Sequence, residues 1–184
     1  MPRPLKKRIM DLFDAINQRY CYRGEFKDAA ISRQDLCKIV AAGMSAPSGK
    51  NAQTTSFVIV DDPQLLKKIG QLHEMPAMRT AKAMIACLID KTPPAVYAGH
   101  TFQVEDCAAA VQNILLAMTA LGYAGVWIDG WLRLNDHSSI IGEVLAVPTE
   151  KTVRVLIPLG VPVTAGPRQD KKKFEARACF NKFI

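Results

Sequence analysis

The chain is poor in the residues and patterns that announce a function by themselves. Its three histidines, His73, His100 and His137, are too scattered to pair as metal ligands. The five cysteines, Cys21, Cys37, Cys87, Cys107 and Cys179, are odd in number, widely spaced and lack a C-x-x-C pair. That argues against a disulfide framework or a zinc site and for reduced thiols, hence a cytoplasmic protein. No G-x-G-x-x-G fingerprint is present, which disfavours a Rossmann domain. No apolar run reaches membrane-spanning length, and Asp11 and Asp14 interrupt what could have been a signal-peptide core. Aromatic residues make up 7% of the chain and are not interleaved with a basic repeat, so nothing marks a nucleic-acid module. No Ser-His-Asp or Cys-His constellation that could supply a nucleophile is present.

One motif comes close and fails. Gly43 and Gly49-Lys50 resemble a phosphate-cradling loop, but five residues separate the glycines and Asn51 follows the lysine. That motif needs four residues and a Ser or Thr to hold magnesium. Nucleoside-triphosphatase chemistry is therefore rejected.

What is present suits one globular domain: 184 residues, 49% apolar and 22% charged. The net charge of +7 gathers at the ends, in Arg3, Lys6, Lys7 and Arg8, and in Lys171, Lys172, Lys173, Arg177 and Lys182. It suits an anionic ligand as well as plain solubility.

Periodicity gives the elements. Ile9, Leu12, Phe13 and Ile16 mark a first amphipathic helix. It runs into Arg19-Tyr20-Cys21-Tyr22-Arg23, where two cations flank a thiol and repel each other unless solvated or paired with an anion. Ser32 and Asp35 resemble a capping box before Leu36, Ile39 and Val40. A loop over 45–53 follows, rich in turn formers, hydroxyls and amides. Two readings are open for it: a connection, or a cradle for an anionic or heteroaromatic ligand. A strand spans 56–61, Asp62-Pro63 starts another helix, and 73–80 reads as a loop. Met84 to Ile89 is a central strand. A helix over 102–121 is apolar nearly all round, which points to the core, a subunit interface, or both. Val126-Trp127-Ile128 reads as a strand, with Trp127 in the core, and Gly130 at its end frees the backbone for close approach by a flat ligand. A helix from Asp136 and a strand over 152–159 complete the body. The tail from Val163 carries Phe174, Phe180, Phe183 and Ile184, apolar residues that a solvated tail would not need.

Taken in order, these pieces resemble the nitroreductase family of FMN-dependent oxidoreductases. Arg19 to Arg23 resembles the family's R-R-S-x-R segment, and Ala46-Pro47-Ser48-Gly49-Lys50-Asn51-Ala52-Gln53 its A-P-S-x-x-N-x-Q-P-W loop. The Ala-rich helix with Asp106, Ala109, Gln112 and Asn113 resembles its long dimer helix. Leu121 to Gly130 resembles L-G-x-G-x-x-W-I-x-G, Leu159 to Pro162 resembles L-G-Y-P, and Lys171 to Glu175 its basic tail. The chain departs from the pattern in Tyr20, in Cys21 for serine, and in Thr54-Thr55 for Pro-Trp.

The resemblance implies an α+β fold around a mixed central β-sheet flanked by helices, in an intertwined homodimer. It implies one domain over 1–184, with 163–184 packing on the partner subunit. FMN would be the cofactor. Arg19, Tyr20, Cys21 and Arg23 would meet it from the early segment, and Pro47, Ser48 and Asn51 from the facing subunit. Asp129 and Gly130 would reach the N5 and O4 edge through their backbone, with Lys171 and Lys172 joining Arg19 at the phosphate. NADH or NADPH would reduce the flavin, and an electron-poor nitroaromatic or quinone would reoxidise it. Two other function classes are carried alongside: a flavin-binding redox sensor built on Cys21 between Arg19 and Arg23, and a basic scaffold for nucleic acid.

Overall fold

The computed structural model describes residues 10–166 and 170–183. Arg3, Lys6, Lys7, Arg8, Ile9 and Ile184 lie outside the described residues. Among the described residues six α-helices and four strands follow one another as α1 (Leu12–Gln18), α2 (Arg33–Met44), β1 (Ser56–Val60), α3 (Pro63–Gly70), α4 (Pro76–Arg79), β2 (Ala83–Asp90), α5 (Gln103–Leu121), β3 (Ala124–Gly125), α6 (His137–Val144) and β4 (Lys151–Gly160).

The helix starts follow the capping chemistry of the sequence. Asp11 accepts from the Asp14 N–H, Ser32 from Asp35, and Asp62 from Gln64 and Leu65, each satisfying donors a first turn leaves free. Gly122 ends α5 in the left-handed region at φ 86°. The 73–80 segment is more ordered than the expected loop. Pro76 has its φ fixed near the helical value and opens the short α4.

The sheet order is β1-β2-β4-β3, and every ladder is antiparallel. The parallel component of the expected mixed sheet is a single bridge, Cys21 to Gly125, where the early arginine segment runs beside β3. The expected strand at Val126 to Ile128 is set earlier, at Ala124–Gly125, and only Ile128 rejoins β4 through a bridge to Leu156.

Alternation along β2 divides the core in two. Met84, Ala86 and Leu88 face one apolar cluster with Ile69, Met78, Leu132 and Ile141. Ala83, Ile85, Cys87 and Ile89 face another with Leu36, Ile39, Val111, Ile114 and Met118. The sheet thus lies between a layer of α2 and α5 and a layer of α3, α4 and α6. Among the described residues α5 alone is long and apolar enough to cross a bilayer, yet Cys107, Val111, Ile114 and Met118 on it are buried in the second cluster. All five cysteines are free.

A Cβ on Gly125 would lie 2.5 Å from Met118 Cε and 2.6 Å from the Pro158 carbonyl oxygen. One on Gly142, inside α6, would meet nothing nearer than Val147 at 3.8 Å. Gly125→Ala is therefore expected to cost about 1–3 kcal/mol by overpacking. Gly142→Ala is expected to be neutral or to stabilise by up to about 1 kcal/mol through helix propensity. Urea unfolding of the two variants checks the contrast; equal midpoints would contradict it.

Candidate active site

The early arginine segment is held along β3. The Tyr22 N–H donates to the Gly125 carbonyl at 2.8 Å, and the Tyr22 hydroxyl donates to the Glu25 carbonyl at 2.7 Å. Tyr22 is buried while Cys21 and Arg23 on either side are exposed, the alternation of an extended chain. The Tyr20 ring stands edge-on to Tyr22 at 6.2 Å. Arg19 and Tyr20 line a cleft of about 190 Å³ with Met118, Thr119, Gly122 and Gly125. Arg33, Arg79, Arg133 and Arg154 all have carboxylate partners. The side chains of Arg19 and Arg23 have none among the described residues.

The 45–53 loop is pinned from below. Ser48 Oγ accepts from the Gln53 N–H at 2.9 Å, leaving its own hydrogen free to donate. Asp106, in the first turn of α5 and 7% exposed, accepts from the Gly49 N–H and from the Thr54 hydroxyl, both at 3.0 Å. Lys50, Asn51 and Gln53 all have positive φ, at 47°, 57° and 50°. For Lys50 and Gln53 this conformation costs on the order of 1 kcal/mol each; Asn51 tolerates it better. Pro47 and Asn51 are exposed on the loop. The Lys50 amine sits 5.0 Å from the Tyr97 ring centre, and Tyr97 is 60% exposed on a tight turn whose ends meet at Tyr97 and His100.

Asp129 lies at the meeting point of two arginines. Arg133 donates to both carboxylate oxygens, at 2.7 and 2.9 Å, and Arg154 donates to Oδ1. Arg154 reaches it from a β-bulge: Cys87 pairs with Val155 and Leu88 with Val153, leaving Arg154 as the extra residue. Gly130 is exposed, and a Cβ there would meet nothing within 4 Å, so its backbone is open to close approach. Trp131 follows, stacked on His137 at 3.9 Å and tilted against His73 at 4.8 Å.

The structure brings Arg19, Tyr20, Cys21 and Arg23 into one extended segment. The Pro47, Ser48 and Asn51 loop lies elsewhere in the same chain. Asp106 and Met118, which mark the two places on α5, are about 18 Å apart along its axis at 1.5 Å per residue. Lys171 and Lys172 are exposed on the tail, whose hydrogen bonds in 173–182 stay within the tail. Arg133, Arg154 and Tyr97 went unmarked in the sequence reading, and Thr54 was marked only as a departure from the family pattern. Asp106 was marked only as part of a motif, with no role. The signal for Arg154 was a single charge inside an apolar strand. For Asp106 it was a carboxylate on a helix with almost no polar surface.

Burial pushes the Asp129 carboxyl up, but the hydrogen bonds from Arg133 and the charge of Arg154 outweigh it and hold the group below its ordinary range. A folded pKa below the unfolded value, about 3.9, means stability that is present above that pH and lost as pH falls through the folded value. Asp129→Asn should be less stable than wild type at neutral pH. Its urea midpoint should also fall less steeply from about pH 5 to about pH 3, the span over which such a carboxylate titrates. Parallel pH profiles would contradict this electrostatic account.

The model of the Nitroreductase family matches residues 16–74 and 70–161. A protein of Archaeoglobus fulgidus, provisionally named NADH dehydrogenase/NAD(P)H nitroreductase, is 32% identical over 158 residues, 85% of this chain and 86% of its own length. A crystal structure from Bacteroides thetaiotaomicron with the same provisional name superposes with a TM-score of 0.79 at 26% identity, covering 94% of this chain and 98% of the other. A provisionally named nitroreductase from Desulfovibrio desulfuricans, solved in complex with FMN, superposes at 0.74 with 25% identity over 100% of this chain and 99% of the other. Those matches, the layered α+β fold, and the order of the arginine segment, the loop and the α5 helix agree: the chain belongs to the nitroreductase family.

Proposed function

We propose that this protein is an FMN-dependent NAD(P)H oxidoreductase that acts as a homodimer. The observation that carries the reading is two neighbouring guanidinium groups, Arg19 and Arg23, without a carboxylate partner among the described residues, in a chain whose Arg33, Arg79, Arg133 and Arg154 are all paired. Unpaired neighbouring cations call for an anion, and a flavin phosphate supplies one through charge-assisted hydrogen bonds. The FMN-bound relative supports the same choice of cofactor.

The residues present fit the group. Arg19, with Lys171 and Lys172 from the tail, holds the phosphate; Tyr20 and Cys21 complete that wall, although a thiol is a weaker donor than a serine hydroxyl. Arg23 fixes a positive charge for the N1 and O2 edge. Pro47, Ser48 and Asn51 line the flavin from the second subunit. Asp129 and Gly130 offer open backbone for the N5 and O4 edge. Bound FMN supplies the two-electron hydride chemistry between NAD(P)H and an electron-poor acceptor, a nitroaromatic or quinone. No side chain needs to act as a nucleophile. Both carboxylate oxygens of Asp129 are engaged by arginine, so its part is to fix the backbone rather than to move a proton.

Two copies are needed because one chain holds the Arg19 cleft and the 47–51 loop about 18 Å apart along α5. The exposed apolar residues Leu12, Phe13, Ile16 and Met44 supply an interface, and burying each large side chain stabilises by about 1.5–3 kcal/mol. Phe174, Phe180 and Phe183, at 60, 82 and 89% exposure, are the part of the tail 163–184 that packs on the partner. The exposed Tyr97 ring beside Lys50 offers a flat rim for a planar acceptor.

Purified protein should be yellow, sediment as a dimer, and bleach under NADH or NADPH without oxygen. Colourless protein that takes up no added FMN would overturn the reading. Arg19→Ala should weaken FMN binding about tenfold or more, the loss of one hydrogen bond to a charged group. Arg23→Ala should lower the flavin midpoint potential more than it loosens the cofactor; an unshifted midpoint would remove Arg23 from the flavin edge. Cys21→Ser should leave steady turnover with a quinone intact, whereas its loss would favour a thiol-based sensor.

A further inference from the structure

Asp106 is a buried carboxyl whose work is done on the loop rather than on any ligand. Its two oxygens take the Gly49 N–H and the Thr54 hydroxyl, each at 3.0 Å. These donors bracket Lys50, Asn51 and Gln53, the three residues of this loop with positive φ. Gly49 is further fixed by the Phe102 ring, which a Cβ would approach to 2.7 Å. A conformation that side-chain-bearing residues disfavour persists only where its surroundings over-determine it. One side chain, standing on the rigid first turn of α5, supplies that constraint at both ends of the strained stretch.

The second donor is a feature of this chain. The family pattern places proline after the loop's glutamine, and proline has no hydroxyl; here Thr54 stands there and donates to Asp106.

We propose that Asp106 is the positioning residue for the 47–53 loop, setting how Pro47, Ser48 and Asn51 meet the cofactor without touching it, and that Thr54 is its second anchor. This rests on the reading of that loop as part of an FMN site. The ionised carboxyl accepts on both oxygens, whereas an asparagine has one acceptor and turns an N–H₂ toward the other donor. Asp106→Asn therefore keeps the shape and size of the side chain and releases one end of the loop.

The test uses the full-length protein and FMN itself. Asp106→Asn should weaken FMN binding about tenfold or more and, at saturating FMN, change the visible circular dichroism of the bound flavin. Thr54→Ala should do the same to a smaller degree. In the double variant the two losses should not add, because they act through one contact, whereas Arg19→Ala should add in full to either. Unchanged FMN affinity and dichroism in Asp106→Asn, or full additivity with Thr54→Ala, would overturn the proposal. Should Asp106→Asn not fold, unchanged affinity in Thr54→Ala would overturn it alone. FMN uptake by the wild type and its weakening in Arg19→Ala would at the same time keep the site reading standing. A wild type that binds no FMN would sink both.

Discussion

Cys107, Val111, Ile114 and Met118 of α5 are buried with Ile85, Cys87, Val155 and Ile157 of β2 and β4, and that packing holds the working parts in place. The sheet gives α5 a rigid seat, and α5 gives the rest of the chain a ruler. Its first turn carries Asp106 and with it the strained loop. Its last turns carry Met118 and Thr119, which wall the cleft of Arg19 and Tyr20. Were the seam to slip by a turn, both would move together relative to β4. The close fit of Gly43 beneath Ile114, where a Cβ would come within 2.8 Å, locks α2 to the same helix.

Electrostatics separates structural charge from available charge. Arg33 with Asp61, and Arg79 with Glu74, are surface pairs that contribute little to stability. Arg154 and Asp129 are the more enclosed pair, at 17 and 23% side-chain exposure, and Arg133 completes a three-membered set. Its effect is geometric: it fixes the turn at Asp129 and Gly130. Arg19 and Arg23 have no such partner among the described residues, and both lie on the segment that runs beside β3.

Much of the architecture was legible because it depends on local chemistry. Caps at Ser32 and Asp62, the break at Gly122, and the apolar runs of β2 and β4 each act within a few residues of themselves. The early strand start at Ala124 and the short helix at Pro76 were not legible. Both are decided by pairing with distant segments, β4 in one case and the arginine segment in the other, where the Ala77 N–H donates to the Arg23 carbonyl. The bulge at Arg154 was equally hidden: an extra residue in one strand can be seen only against its partner's register.

By itself the sequence determined the elements, the ordered motifs that identify the family, and which basic and hydroxyl residues were candidates for a cofactor. These follow from periodicity and turn chemistry, which are properties of neighbouring residues. Only the tertiary structure decided which of those candidates have partners. It put Asp106 under a loop more than fifty residues away in the chain, gave both oxygens of Asp129 to arginines, and left Arg19 and Arg23 without a carboxylate partner among the described residues. Pairing of that kind is set by long-range packing, which no local pattern encodes.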